Sequence, residues 1–217
     1  MTSTGKKEKG IDLIRQKELL PFNFEMLRKS VHILAVALSL IMLWMGKHPA
    51  MLILGLAALI ALILDILRFK APWFGSKMQN IFGALIRPEE QALPGGKVAL
   101  TGATYALISA FLLILIFPVH IAAMSFALFM VGDAAAAIVG QKYGKRTWAR
   151  GEKTMEGSLA FLAAALLVVL LMPGVNFWTG AAASICACLA EALPGPLNDN
   201  LQAPIIAGAV MLLLSSL

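Results

Sequence analysis

The chain has 217 residues, of which 59% are hydrophobic and only 14% charged, and its mean hydropathy is +0.82. An ordinary soluble domain is about 45–50% apolar, so this composition excludes a disordered chain, a coiled coil, a collagen and a conventional soluble globule. The formal net charge of +6 comes with no DNA- or RNA-binding motif. It reads as the surplus a membrane protein carries in its cytoplasmic loops, and no nucleic-acid partner is expected.

In chain order, residues 1–29 form a polar, basic segment without signal-peptide layout, because the apolar run starts too late and lacks a small-residue cleavage site. A spanning helix needs about 20 mostly apolar residues. Seven stretches qualify as candidates: 30–46, 50–68, 98–117, 119–140, 156–172, 176–193 and 201–217. Several are short, which suits a thin or tilted bundle. Residues 74–86 are too short and too polar to span, and predict an interfacial helix. The expected fold is all-α: a polytopic membrane bundle of about seven helices plus that interfacial one. Residues 1–29 make a cytoplasmic segment and 30–217 a single transmembrane catalytic domain. Cys186 and Cys188 lie in an apolar run, two apart on a helix and therefore on different faces, so they read as packing residues rather than a disulfide or a metal pair.

With the N-terminus cytoplasmic, 17 of the 18 basic residues fall on the cytoplasmic side and only Lys47 lies opposite. The three basic groups are Lys6 to Lys29, then Arg68, Lys70, Lys77, Arg87 and Lys97, then Lys142, Lys145, Arg146, Arg150 and Lys153. The positive-inside rule thus gives the orientation. The polar residues within the spans gather at the same ends: Arg28, Lys29 and His32; Asp65 and Arg68; Asp133; Lys153 and Glu156; Glu191; Asp199 and Asn200. Asp133 lies seven residues before Gly140, roughly 10 Å inside the helix end at about 1.5 Å per residue. An acid at that depth costs several kcal/mol and normally faces a functional interior. Arg28, Lys29 and His32 can share one helix face, and Asp65–Arg68 and Lys153–Glu156 are i,i+3 pairs. The run Gly132-Asp133-Ala134-Ala135-Ala136-Ala137 lets a neighbouring helix or a ligand approach closely. The loop Gly140-Gln141-Lys142-Tyr143-Gly144-Lys145-Arg146 combines glycines with three cations, which suits phosphate. It is one residue short of a P-loop, with Arg146 in place of the hydroxyl residue. The expectation is one polar site, open to the cytoplasm at headgroup level.

Arg28-Lys29-x-x-His32, Asp65-x-x-Arg68, Thr101-Gly102-Ala103-Thr104-Tyr105, Val131-Gly132-Asp133-Ala134-Ala135-Ala136, Gly140-x-x-x-Gly144, Lys153-Thr154-x-Glu156-Gly157-Ser158, and Glu191-x-Leu193-Pro194 with Asp199-Asn200 and Pro204 occur in this order. In these motifs the chain resembles the CTP-dependent lipid-alcohol kinases: dolichol kinase, phytol kinase and CTP-dependent diacylglycerol kinases. The likeness covers about residues 25–210. It implies transfer of the γ-phosphoryl group of CTP to the hydroxyl of a membrane lipid alcohol, with Mg²⁺ as cofactor, at the cytoplasmic face of a bacterial inner membrane.

On that resemblance Asp133 and Glu156 are expected to ligate the metal, and Lys153, Arg28 and Lys29 to clamp the triphosphate. Gly140, Lys142, Gly144 and Lys145 would face the phosphates. His32, Asp65 and Asp199 are candidate bases. Arg68, Glu191 and Asn200 complete the nucleotide side of the site. The rival readings are a CTP-dependent cytidylyltransferase acting on a phospholipid, which needs nearly the same residue classes, and a transporter, which would need polar residues on both sides.

Overall fold

The computed structural model describes residues 22–86, 90, 99–148, 153–193 and 197–216. Lys6, Lys7, Lys9, Arg15 and Lys17 of the basic N-terminal segment, together with Arg87, Lys97, Arg150 and Pro194, lie outside the described residues. Within them are eight α-helices and no strand, as the composition and periodicity require.

Helix α1 (Phe22–Met45) turns at Gly46 into α2 (Lys47–Lys70). Gly46 has φ 77°, a backbone shape that glycine adopts without a Cβ penalty. Pro72 then opens α3 (Pro72–Phe82), where its missing N–H costs nothing. A 3₁₀ turn at Gly83–Leu85 follows. Helix α3 buries none of its described side chains, in keeping with the interfacial reading of 74–86. Thr101 caps α4 (Gly102–Ile116), and Pro118 separates it from α5 (Val119–Tyr143). Thr154, Asn176 and Asn198 cap α6 (Met155–Leu171), α7 (Phe177–Ala192) and α8 (Asp199–Ser215), each accepting a backbone N–H from the first turn. Helix α1 begins well before residue 30, so Arg28 and Lys29 sit inside a helix rather than in a separate tail.

Three of the seven expected spans reach full crossing length: Met26–Met45, Lys47–Lys70 and Val119–Tyr143. The other four are apolar but only 15, 17, 16 and 17 residues long. The apolar part of α5 is 78% buried, against 28% for α1 and 22% for α2, which makes α5 the central helix. It packs on α1, α4, α6, α7 and α8. Its Met124, Phe126, Phe129 and Met130 form the fully buried core with Phe161 of α6. The outward sides of α1, α2 and α6 carry Leu34, Leu52, Leu56, Leu159 and Leu170, all largely exposed. Contiguous apolar surface of this kind suits lipid rather than water.

Small residues set the α5–α6 spacing. A Cβ built on Gly132 would lie 2.9 Å from three atoms of the Phe161 ring, which is itself wholly buried. Gly132→Ala is therefore expected to destabilise the bundle by about 1–3 kcal/mol through overpacking. Denaturant unfolding in detergent measures this, and Phe161→Leu in the same chain should recover most of the loss.

Candidate functional site

The up-and-down path of the chain brings seven helix ends to one side of the bundle: the starts of α1, α4, α6 and α8 and the last turns of α2, α5 and α7. Every buried charged residue among those described lies on this side: Arg28, Lys29, Asp65, Arg68 and Glu191 toward these ends, Asp133 deeper in α5, and Glu90, which accepts from Gly102 at the start of α4, with His32 beside them. The opposite end has no buried charge among the described residues. Its one basic residue, Lys47, donates from Nζ to the Phe117 carbonyl at 3.1 Å and so satisfies the end of α4. Buried charges persist only when paired, and the pairs define three linked clusters.

The deepest cluster centres on Asp133. Lys29 Nζ donates to Asp133 Oδ2 at 2.5 Å, and His32 Nε2 lies 3.4 Å from the same oxygen. Lys29 and His32 are one turn apart, so a single face of α1 is fastened to α5. His32 Nδ1 is 3.2 Å from the Arg28 carbonyl oxygen. With a carbonyl at Nδ1 and a carboxylate at Nε2, both ring nitrogens face acceptors. Across the site, Lys153 Nζ donates to Glu191 Oε1 and, at 3.1 Å, to Asp199 Oδ2. Burial pulls the Lys153 ammonium toward a lower pKa, but the carboxylates of Glu191, Asp199 and Asp133 outweigh it and hold the group above the ordinary lysine value. Lys153 is thus a permanent cation. Between these pairs lies a hollow lined by Asp133, Asn198, Asp199 and Asn200.

The second cluster anchors the start of α4. Asp65 Oδ2 accepts from Thr101 N at 2.8 Å, Thr101 Oγ1 at 3.1 Å and Thr104 Oγ1 at 2.6 Å. Asp65 Oδ1 pairs with Arg68 Nη2 at 3.3 Å, and Arg68 also donates to the Ala99 carbonyl at 3.0 Å. Gly102 N donates to Glu90 Oε1 at 3.2 Å, and Asn200 Nδ2 donates to the Gly102 carbonyl at 3.1 Å. Three donors converge on Asp65 Oδ2, and Arg68 is the partner of Oδ1. These bonds lock α2 to α4, whose Gly102 carbonyl in turn holds Asn200 at the start of α8.

The third cluster organises the loop after α5. Glu156 Oε2 accepts the backbone N–H groups of Lys145 at 3.1 Å and Arg146 at 3.2 Å. A short bridge between Thr147 and Thr154 pins the far side of the loop. Gly140 packs against Thr154 and Gly157, and Gly144 against Thr154. These two glycines permit close approach of the loop and α6. Lys142, Lys145 and Arg146 are exposed at the rim, with Lys142 over the Tyr143 ring at 5.2 Å. Asp133, Asn198, Asp199 and Asn200 thus line one hollow, with Lys29 and His32 on Asp133 and Lys153, held also by Glu191, on Asp199. The structure sets Asp65 and Arg68 behind that hollow, and Glu156 is not among the residues lining it. Thr104 was quoted in a motif but given no role, and Glu90 and Asn198 were not singled out in the sequence. Asn198 could have been found as a capping residue before an apolar helix. Glu90 carries no comparable signal.

The four side chains that line the hollow, Asp133, Asn198, Asp199 and Asn200, each carry an oxygen, which fits a hard cation. No set of three or more His, Cys, Asp or Glu side chains among the described residues forms a ready-made metal cage. A nucleotide-borne Mg²⁺ does not need one, since it usually takes one or two carboxylates plus phosphate oxygens.

No family model matches the chain, and no solved structure matches it. It is similar to an uncharacterized protein of Rickettsia prowazekii, 27% identical over 85% of this chain and 91% of that protein. It is also 28% identical to the CTP-dependent diacylglycerol kinase 1 of Schizosaccharomyces pombe, over 88% of this chain and 93% of that protein. A dolichol kinase of the same yeast is 34% identical over 34% of this chain and 16% of its own length.

Proposed function

We propose, on the premise that the chain is one of the CTP-dependent lipid kinases it resembles, that it transfers the γ-phosphoryl group of CTP to the hydroxyl of a membrane lipid alcohol. The product is a lipid monophosphate, and CDP leaves. The observation that carries this reading is the set of paired charges, the buried Lys29–Asp133 and the half-exposed Lys153 with Glu191 and Asp199, at one end of an otherwise apolar bundle. Phosphoryl transfer asks a protein mainly for positioning and charge stabilisation, and both are present here. An ion-conducting protein would need charge along its path, and the buried charges of the described residues stop at one end.

In this reading Lys153, Lys29 and Arg28 hold the phosphates, and the rim cations Lys142, Lys145 and Arg146 draw the nucleotide in. Glu156 keeps that rim in shape by holding two of its backbone N–H groups. Asp133, the deep carboxylate of the hollow, would hold Mg²⁺. When bound, the ion neutralises phosphate charge. The lipid oxygen bonds to the γ-phosphorus as the bond to the β-phosphate oxygen breaks. His32, which stands beside Asp133, is the candidate acceptor of the hydroxyl proton. Loose phosphoryl transition states need little help from a base, so His32 matters less than the cations.

The site is assigned to the cytoplasmic face, where the nucleotide is. A cysteine introduced at Tyr143, exposed at the end of α5, is expected to react with impermeant maleimide only in inside-out vesicles. Reaction in intact cells or right-side-out vesicles would reverse the orientation. The direct test of function is transfer of γ-labelled phosphate from each of four nucleoside triphosphates to diacylglycerol, a polyprenol and phytol. Labelled lipid with CDP release supports the kinase. Release of pyrophosphate would make the protein a cytidylyltransferase, and no transfer from any donor would end the reading.

A further inference from the structure

Resting on the nucleotide-dependent reading above, we propose that Asp133 and Asp199 are together the carboxylate ligands of the divalent cation, and that Lys153 is the group exchanged to free Asp199. Four observations converge. First, Asp133 and Asp199 reach the same hollow from α5 and α8, and its other lining residues, Asn198 and Asn200, also offer oxygen. Two carboxylates with neutral oxygens are what a hard cation accompanying phosphates takes. Second, Glu156, the carboxylate nearest in sequence to the phosphate loop, is not at the hollow. Its Oε2 is committed to the N–H groups of Lys145 and Arg146.

Third, Asp199 is held in reserve rather than built into the fold. Its side chain is 40% exposed, and its one ion pair is to Lys153. The cap of α8 is made by its neighbour Asn198, which accepts from Asn200 N. Glu191, only 3% exposed, remains on Lys153 as a second counter-charge. The lysine can therefore leave Asp199 without becoming unpaired. Fourth, Pro204 lies inside α8. A proline removes the bond that its N–H would make to the carbonyl four residues earlier, here Asn200. A backbone carbonyl at the edge of the hollow is thereby left without its helical donor.

The exchange follows from charge. In the resting site, the carboxylates stand in for phosphate on Lys153 and Lys29. When a polyphosphate takes the lysines, Asp133 and Asp199 are released together, facing one hollow. Two close carboxylates without cations repel, and a divalent cation removes that cost. Polyphosphate and cation should therefore bind cooperatively, and Asp199 should oppose polyphosphate binding whenever the cation is absent.

The test uses the full chain in lipid nanodiscs and calorimetric titration with inorganic tripolyphosphate, once with Mn²⁺ and once with EDTA. For the unaltered protein, Mn²⁺ is expected to tighten binding by about 5–150-fold, the usual span of coupling between two ligands. In Asp199→Asn, the Mn²⁺ effect should fall to less than about threefold. Metal-free tripolyphosphate should at the same time bind more tightly than to the unaltered protein. Loss of a merely structural residue would not strengthen binding. Asp199→Glu should regain most of the Mn²⁺ effect. An Asp199→Asn protein with full Mn²⁺ coupling overturns the assignment. So does an unaltered protein that shows no Mn²⁺ effect. Because tripolyphosphate has no base and no acceptor lipid is present, each of these failures is separate from a failure of the CTP-to-lipid transfer assay.

Discussion

Asp133→Asn is expected to lower phosphoryl transfer by roughly three orders of magnitude or more, the scale seen when a principal electrostatic group is removed from a reacting phosphate or oxyanion. Asp133 is the deep end of the hollow and the shared partner of Lys29 and His32. The amide keeps the shape and removes the charge. It also takes from the buried Lys29 the carboxylate it donates to, and breaking a buried pair from one side costs about 3–5 kcal/mol. Activity and stability should thus fall together, which by itself does not separate a structural from a catalytic role. The double change Lys29→Met with Asp133→Asn separates them. It removes both charges and is expected to restore thermal stability in detergent while transfer stays absent. Near-normal transfer by Asp133→Asn would remove this residue from the reacting centre.

Lys153→Ala is expected to raise the KM for the nucleotide by about 10–100-fold, with a smaller change in kcat, as for a clamp that holds phosphates before and during transfer alike. Lys153 stands between Glu191 and Asp199, so its removal leaves the buried Glu191 without its cation. Glu191→Gln added to Lys153→Ala is expected to recover stability and leave the raised KM in place. Steady-state kinetics over a nucleotide series, alongside thermal unfolding of both variants, provides the comparison. An unchanged KM would place the phosphates elsewhere.

The sequence announces the bundle clearly because apolar runs of this length have few alternatives, and each boundary carries a cap or a proline: Thr101, Pro118, Thr154, Asn176 and Asn198. It also shows that the acids and bases gather at one end, since that follows from parity of the spans. Partner choice is hidden. Lys29 and Asp133 are 104 residues apart, and Lys153 and Glu191 are 38 apart. Nothing local says which acid each lysine meets. Glu156 is the instructive case. Its place in Lys153-Thr154-x-Glu156 suggests a ligand, but one helical turn from the loop its carboxylate finds two backbone N–H groups first. Gly140 and Gly144 likewise read as phosphate-facing, because a glycine used for close packing and a glycine used for ligand approach look alike until the facing Thr154 is known. Asp65 showed its partner at i+3 but not the two threonines of α4, which arrive only through the tertiary fold.

The brevity of α4, α6, α7 and α8 has a consequence for the surrounding bilayer. At about 1.5 Å per residue, such helices measure roughly 22–26 Å, against about 30 Å of hydrocarbon in a typical membrane. Lipids flanking that flank of the protein must compress or lean to keep their tails covered. Headgroups there sink toward the protein's midplane, and under the proposed function an acceptor alcohol among them would meet the charged chamber without being lifted out of its leaflet. Host membranes with shorter acyl chains would make that descent easier, so bilayer thickness itself becomes a control on encounter between the enzyme and its greasy acceptor.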